Sequence, residues 1–315
     1  MKTIFINPEL QYMRAGWRIG IFVLIFSACS LIIGGPVVLL VKQFEVLKLA
    51  VIPTFATYVA LTLATWIMLR FVDKRPFYSV GLFFHNRWGK ELLQGILLGS
   101  GMMTTIVVVF FAGGMITIEF RELEIGTMLL IFLNSAALYT VVGYGEELMF
   151  RGYILQVFAE GTSRLVAALT ISILFAFAHA KNPNVSTFGL INVGLAGLWL
   201  SVAYYKTNAL WLAIGLHISW NFFQGFVYSL PVSGTTSDKE QIGKAIVTGP
   251  EWLTGGTFGP EGGALATLML IISIILIYKL DWFRSADGAW MYQKWAEDRK
   301  QQLAQQSQEQ VPVQS

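Results

Sequence analysis

Residues 128–158 read MLLIFLNSAALYTVVGYGEELMFRGYILQVF, an apolar run that nevertheless carries Glu146, Glu147 and Arg151. Crossing the hydrocarbon of a bilayer takes about 20 mostly apolar residues in a helix. This run is longer than that, so it predicts a membrane-spanning helix with charge inside it. Carboxylates are costly in a bilayer, and a span that keeps two of them is usually doing chemistry or moving ions.

The rest of the chain agrees with a membrane protein. Apolar residues make up 55% of it, charged residues only 13%, and the mean hydropathy is +0.60. Soluble domains do not have this balance. Apolar segments recur at approximately 19–41, 49–69, 92–118, 128–158, 165–180, 187–205, 209–230 and 263–279. The expected fold is therefore all-α and polytopic, with about eight transmembrane helices. The first segment is too long for a signal-peptide core and lacks a small-residue cleavage site, so it reads as a retained span.

Three regions follow: an interfacial lead over 1–18, a transmembrane domain over 19–280, and a tail over 281–315. The tail begins with Trp and Tyr beside Lys and Arg, as in an amphipathic anchor, and ends in a Gln-rich stretch too polar to fold. With the N-terminus inside, sixteen of the 22 Lys and Arg fall on the inner side and six outside. That bias favours both termini in the cytoplasm, and the reading is a multi-pass protein of a cell (inner) membrane. The net charge of +3 is explained by basic flanks of spans and calls for no nucleic-acid partner. Cys29 is the only cysteine, which excludes an intrachain disulfide and a cysteine metal site. His85 lies in a basic, aromatic connection over 70–90 and reads as a surface histidine, and the Gly-, Ser- and Thr-rich stretch 231–262 reads as a long outside loop, a cap or a re-entrant turn.

On a helix, positions four apart share a face, so Glu147 pairs with Arg151 while Glu146 is rotated away and left without that partner. Phe175 stands one turn before His179, and His217 one turn before Asn221. An uncharged amide such as Asn221 suits oxyanion stabilisation or ligand orientation. Taking the turn at 160–164 as a reference plane, Glu146 lies roughly 21 Å deep, His179 roughly 22 Å, and His217 roughly 16 Å beyond Lys206. These residues meet only if the fourth helix continues through Arg151 to about Ala159.

With these three motifs in order, the sequence resembles the CPBP intramembrane proteases, also called CAAX-protease and bacteriocin-processing, or Abi, proteins. That family carries Glu-Glu-x-x-x-Arg, Phe-x-x-x-His and His-x-x-x-Asn. Here these are Glu146, Glu147 and Arg151; Phe175 and His179; His217 and Asn221. Arg151-Gly152 and Arg75-Pro76-Phe77 also look like the family, and the resemblance covers about residues 70–280. It implies hydrolysis of peptide bonds in membrane-bound or lipidated substrates, with the bilayer as the other partner. Glu146 with His179 would activate water, Glu147 with Arg151 would hold the geometry beside Phe175, and His217 with Asn221 would stabilise the oxyanion.

The family is often classed with metalloproteases. Glu146, His179 and His217 would then be a zinc set with an open position for water. No His-Glu-x-x-His occurs, and the resemblance favours a glutamate mechanism without metal, with none or zinc left open as cofactor.

Two rival readings differ in class. One is a non-catalytic scaffold or bacteriocin-immunity protein. The other is a proton-coupled transporter, which should show repeated halves or broken helices that this sequence lacks. Gly143-Tyr144-Gly145-Glu146 faintly resembles an aspartyl intramembrane protease motif, but no span holds a second aspartate; Ser100 lacks the context of a rhomboid-type serine.

Overall fold

A computed structural model describes residues 2–7, 12–44, 49–284, 297–298, 301 and 305. Most of the tail expected to be an anchor and a disordered end lies outside the described residues. Among the described residues, eight apolar helices carry the fold. They are α1 (Ala15–Gln43), α2 (Val51–Asp73), α3 (Trp88–Ala112), α4 (Ile125–Gly161), α5 (Arg164–Ala178), α6 (Thr187–Thr207), α7 (Trp211–Phe222) and α8 (Ala264–Lys279). Each expected apolar segment coincides with one of them. The chain is a polytopic helical membrane protein: among the described residues α1, α2, α3, α4 and α6 are long and apolar enough to cross a membrane, and α5 and α8 are shorter apolar helices.

The fold is not purely helical. Short antiparallel ribbons join β1 (Ile6–Asn7) to β2 (Tyr12–Met13) and β3 (Ile116–Phe120) to β4 (Gly243–Val247). The expectation that the third span runs to 118 is corrected: α3 stops at Ala112, where Gly113 and Gly114 break it, and β3 follows. Gly114 takes a left-handed φ of 64° that a side chain would resist. Since Gly, unlike Ala, exposes backbone and carries a high entropy cost in a helix, the pair is a stop signal that apolar flanks hide. His85 is likewise not an ordinary surface residue. Its side chain is largely buried, with Nε2 3.3 Å from Glu91, and burial followed by the Arg87 charge pushes its pKa down.

Local chemistry sets the helix ends around the site. Ser163 caps α5 by accepting from the Val166 amide (3.3 Å), and Ser186 caps α6 by accepting from the Gly189 amide (2.9 Å). Asn208 ends α6 in a left-handed turn. The lower end of α4 is fixed by a buried polar cluster. Arg18 of α1 grips Asp73 through Nε and Nη2, both at 2.7 Å, and also reaches Glu160. Arg75 donates to Gln156 (2.7 Å), whose amide donates to the Ser79 carbonyl (3.0 Å) and contacts the Tyr204 hydroxyl. Charges buried this way are tolerable only when paired, so they specify how α1, α2 and α4 dock.

Glycines set how closely α7 lies on α3. A Cβ on Gly215 would fall onto the Leu92 carbonyl, one on Gly95 onto the Leu212 carbonyl, and one on Gly99 onto the Leu216 carbonyl and the Ser219 hydroxyl. Such small-residue crossings are how membrane helices approach when apolar burial gives little drive. Gly215→Ala is therefore expected to destabilise the protein by about 1–3 kcal/mol. The check is the midpoint of unfolding in mixed micelles, and an unmoved midpoint would show that the crossing has slack.

Candidate active site

The pivotal element is α4, which runs unbroken from Ile125 to Gly161. It is α-helical to Glu147, opens into a π turn over Leu148–Ile154, and closes again as α-helix. The continuity required for Glu146 to share a depth with the histidines is thus present. A π turn holds an extra residue in the ring of the helix and is frequent at functional sites. Here it starts directly after the two glutamates and contains Arg151.

The glutamates occupy different environments. Glu147 is fully buried; its Oε1 accepts from Arg151 Nη1 and lies 2.9 Å from His217 Nδ1, also the distance to the arginine. Arg151 donates its other terminal nitrogen to the Gly197 carbonyl of α6 at 3.0 Å. Its guanidinium lies 4.6 Å from the Phe175 ring centre, a cation–π contact. Glu146 instead borders a cavity. Its Oε1 is 3.5 Å from the Tyr58 hydroxyl, its Oε2 is 3.8 Å from His217 Nε2, and Oε2 makes no hydrogen bond.

His179 caps the C-terminus of α5, and its Nδ1 is 2.8 Å from the Phe175 carbonyl. A carbonyl only accepts, so Nδ1 carries the proton and Nε2 of the neutral ring keeps its lone pair. Phe175 sits among these groups, with ring centres 4.7 Å from His179, 6.4 Å from His217 and 5.1 Å from Phe150. Replacing that ring would free Arg151 and both imidazoles to reorient. Asn221 is buried and borders the cavity, with its amide making no hydrogen bond among the described residues.

The cavity, about 630 Å³, brings Glu146, Phe175, His179, His217 and Asn221 onto one surface. Glu147 and Arg151 stand behind it as support. Among the described residues His179 makes no ion pair with Glu146, and no three His, Cys, Asp or Glu side chains come together in a metal-holding arrangement. His217 Nδ1 faces Glu147 and His179 Nδ1 faces a carbonyl, which leaves each Nε2 open toward the cavity; Glu146, His179 and His217 would be the residues to hold a zinc ion, but as placed they are not gathered around one point, and no step below passes through a metal.

Two neighbours of the site escape sequence reasoning. Tyr58 of α2 reaches Glu146 because Gly145 leaves room for its ring, where a Cβ would overlap it. The glycine before the acids was the available signal. Glu261 also lines the cavity, from the Gly- and Pro-rich stretch after β4. Burial pushes its carboxyl up, opposed by hydrogen bonds from Ser233 and from the Trp220 indole. A lone Glu between Pro260 and Gly262 gives no periodic signal.

Comparison with known proteins finds a family likeness over part of the chain. Residues 126–223 match the family model described as type II CAAX prenyl endopeptidase Rce1-like. That range contains Glu146, Glu147, Arg151, Phe175, His179, His217 and Asn221, and excludes Tyr58 and Glu261. The chain is also similar to the uncharacterized protein YyaK of Bacillus subtilis (strain 168), 25% identical over 163 residues, or 50% of this chain and 54% of the relative. The chain thus spans about half the length of the curated relative it matches. No solved structure matches.

Proposed function

We propose that this chain is an intramembrane endopeptidase acting on membrane-bound or lipidated peptides, a reading supported by the match of residues 126–223 to the Rce1-like type II CAAX prenyl endopeptidase model. The observation that carries the reading is the unpartnered Glu146 Oε2, held at a cavity wall shared with His179, His217 and Asn221. A carboxylate oxygen that makes no hydrogen bond at the wall of a largely apolar cavity is a strong acceptor for a proton from water. Its neighbour Glu147 is fully buried behind the cavity wall, with Oε1 facing Arg151 and His217.

Water bound between Glu146 and the Nε2 of His179 would attack the scissile carbonyl carbon as its proton passes to Glu146. The oxyanion formed would be met by the Asn221 amide and by Nε2–H of His217 in its doubly protonated form, which Glu147 supports through Nδ1. Collapse of the tetrahedral species breaks the C–N bond, and the proton held by Glu146 goes to the leaving amine nitrogen. Arg151 pairs with Glu147, and Phe175 keeps both imidazoles in place. The membrane topology that fits the Lys and Arg bias has both termini in the cytoplasm of a cell whose inner membrane holds the enzyme.

Cleavage of a panel of membrane-tethered and prenylated peptides by the purified chain tests this reading. Asn221→Ala is expected to lower kcat by about 10²–10³ while leaving KM little changed, as loss of one oxyanion donor does. Cleavage should survive a strong chelator. Loss on chelation with recovery on added zinc would transfer Glu146, His179 and His217 to a metal site.

A further inference from the structure

The motif residues come from α4, α5 and α7, yet the cavity has another wall, built by the segment between α7 and α8. Ser233 of that segment holds a left-handed backbone, φ 46°, that non-glycine residues rarely adopt. Its N–H and its hydroxyl both donate to Glu261 Oε2 at 2.8 Å. Its carbonyl accepts from the Asn182 side chain at 3.0 Å, and the Asn182 amide donates to the His179 carbonyl at 3.0 Å. The other oxygen of Glu261 accepts from the Trp220 indole at 3.3 Å. Trp220 stands on α7 between His217 and Asn221, immediately beside the latter. The Glu261 backbone carbonyl is held by the Asn192 amide of α6 at 2.8 Å. Next to Ser233, a side chain on Gly234 would strike the Pro183 carbonyl, so the two turns lie in direct contact.

We propose that Glu261 is a positioning residue of this site. Through Ser233 and Asn182 it fixes the turn that presents His179, and through Trp220 it fixes the stretch of α7 that presents His217 and Asn221. All three groups facing its oxygens are donors, so the position needs a carboxylate and not merely its shape: an amide would turn its own NH₂ on at least one of them. A loop held at a strained backbone position next to a cavity is where such over-determination is found. The consequence for turnover rests on the peptidase reading; the consequence for the His179 turn does not.

The test combines hydrogen exchange on the full-length protein in detergent with steady-state cleavage. In Glu261→Gln, amides over residues 179–184 and 232–236 are expected to exchange about tenfold faster or more, with distant helices unchanged. Its kcat should fall about tenfold with KM within roughly a factor of two. Glu261→Asp should recover part of both. Exchange in Glu261→Gln equal to wild type, or less protection in Glu261→Asp than in Glu261→Gln, overturns the proposal. If Glu261→Gln does not fold, Ser233→Ala carries the test, since it removes one donor and leaves the carboxylate; faster exchange over 179–184 supports the proposal and wild-type exchange overturns it. Failure of the peptidase reading shows separately, as a wild-type chain that cleaves no better than its Glu146→Gln variant while the exchange result still stands.

Discussion

Glu146→Gln is expected to lower kcat by about 10²–10⁴, the contribution of a positioned general base. The amide nearly matches the carboxylate in shape but cannot take a proton from water. KM should move little, because substrate contacts along the cavity are unchanged and the loss falls on the chemical step. The fold should also be retained. Glu146 is partly exposed to the cavity, its Oε2 has no hydrogen bond to lose, and its one contact to Tyr58 is long at 3.5 Å. Single-turnover cleavage together with binding of an uncleaved substrate to the variant separates the two quantities. Turnover by the variant at the wild-type rate would remove the catalytic assignment. A variant that keeps whatever biological role the wild type has would favour a scaffold over an enzyme.

The second large effect is on stability. Arg151→Met should destabilise the protein by about 3–5 kcal/mol, because it strips buried Glu147 of its guanidinium and leaves His217 as its one close partner. Glu147 and Arg151 are both completely buried, and the arginine also holds the Gly197 carbonyl and covers Phe175. Adding Glu147→Gln to Arg151→Met should recover part of that loss, since the stranded charge disappears with it. The recovery will be incomplete, as His217 Nδ1 then faces an amide and Gly197 loses its donor. Unfolding midpoints of the wild type, both single variants and the double variant in mixed micelles complete the cycle. Strict additivity of the two losses would mean the pair is not coupled, against the 2.9 Å contact.

The sequence made the bilayer and the motif residues legible because both are local signals. Long apolar runs announce helices, and turn spacing puts Glu147 under Arg151 and Phe175 under His179. The depth argument reached further. It required α4 to pass through its own charged residues, and the helix does so by means of a π turn that spacing alone does not announce. What stayed hidden depends on contacts between residues far apart in the chain. The pairing of β3 with β4 joins positions on either side of four helices, so no local pattern marks it. Tyr58 and Glu261 each stand in an unremarkable stretch and gain meaning only when the helices bring them to Glu146 and His179. The end of α3 is masked for a simpler reason: Gly113 and Gly114 are apolar enough to pass as helix interior.

The shortness of α5 has its own bearing on the chemistry. Its 15 residues rise about 22 Å, less than the roughly 30 Å of a bilayer's hydrocarbon core, and the chain then leaves the helix at His179. Peptide groups outside a helix cannot face lipid tails, so the turn from His179 to Asn184 must be solvated or roofed by protein. The roof is the polar segment carrying Ser233, Thr235 and Glu261. A truncated helix beneath a hydrophilic roof is a built-in dent in the oil. On the proposed peptidase reading, it is the route by which water would reach the depth of the bond to be cut.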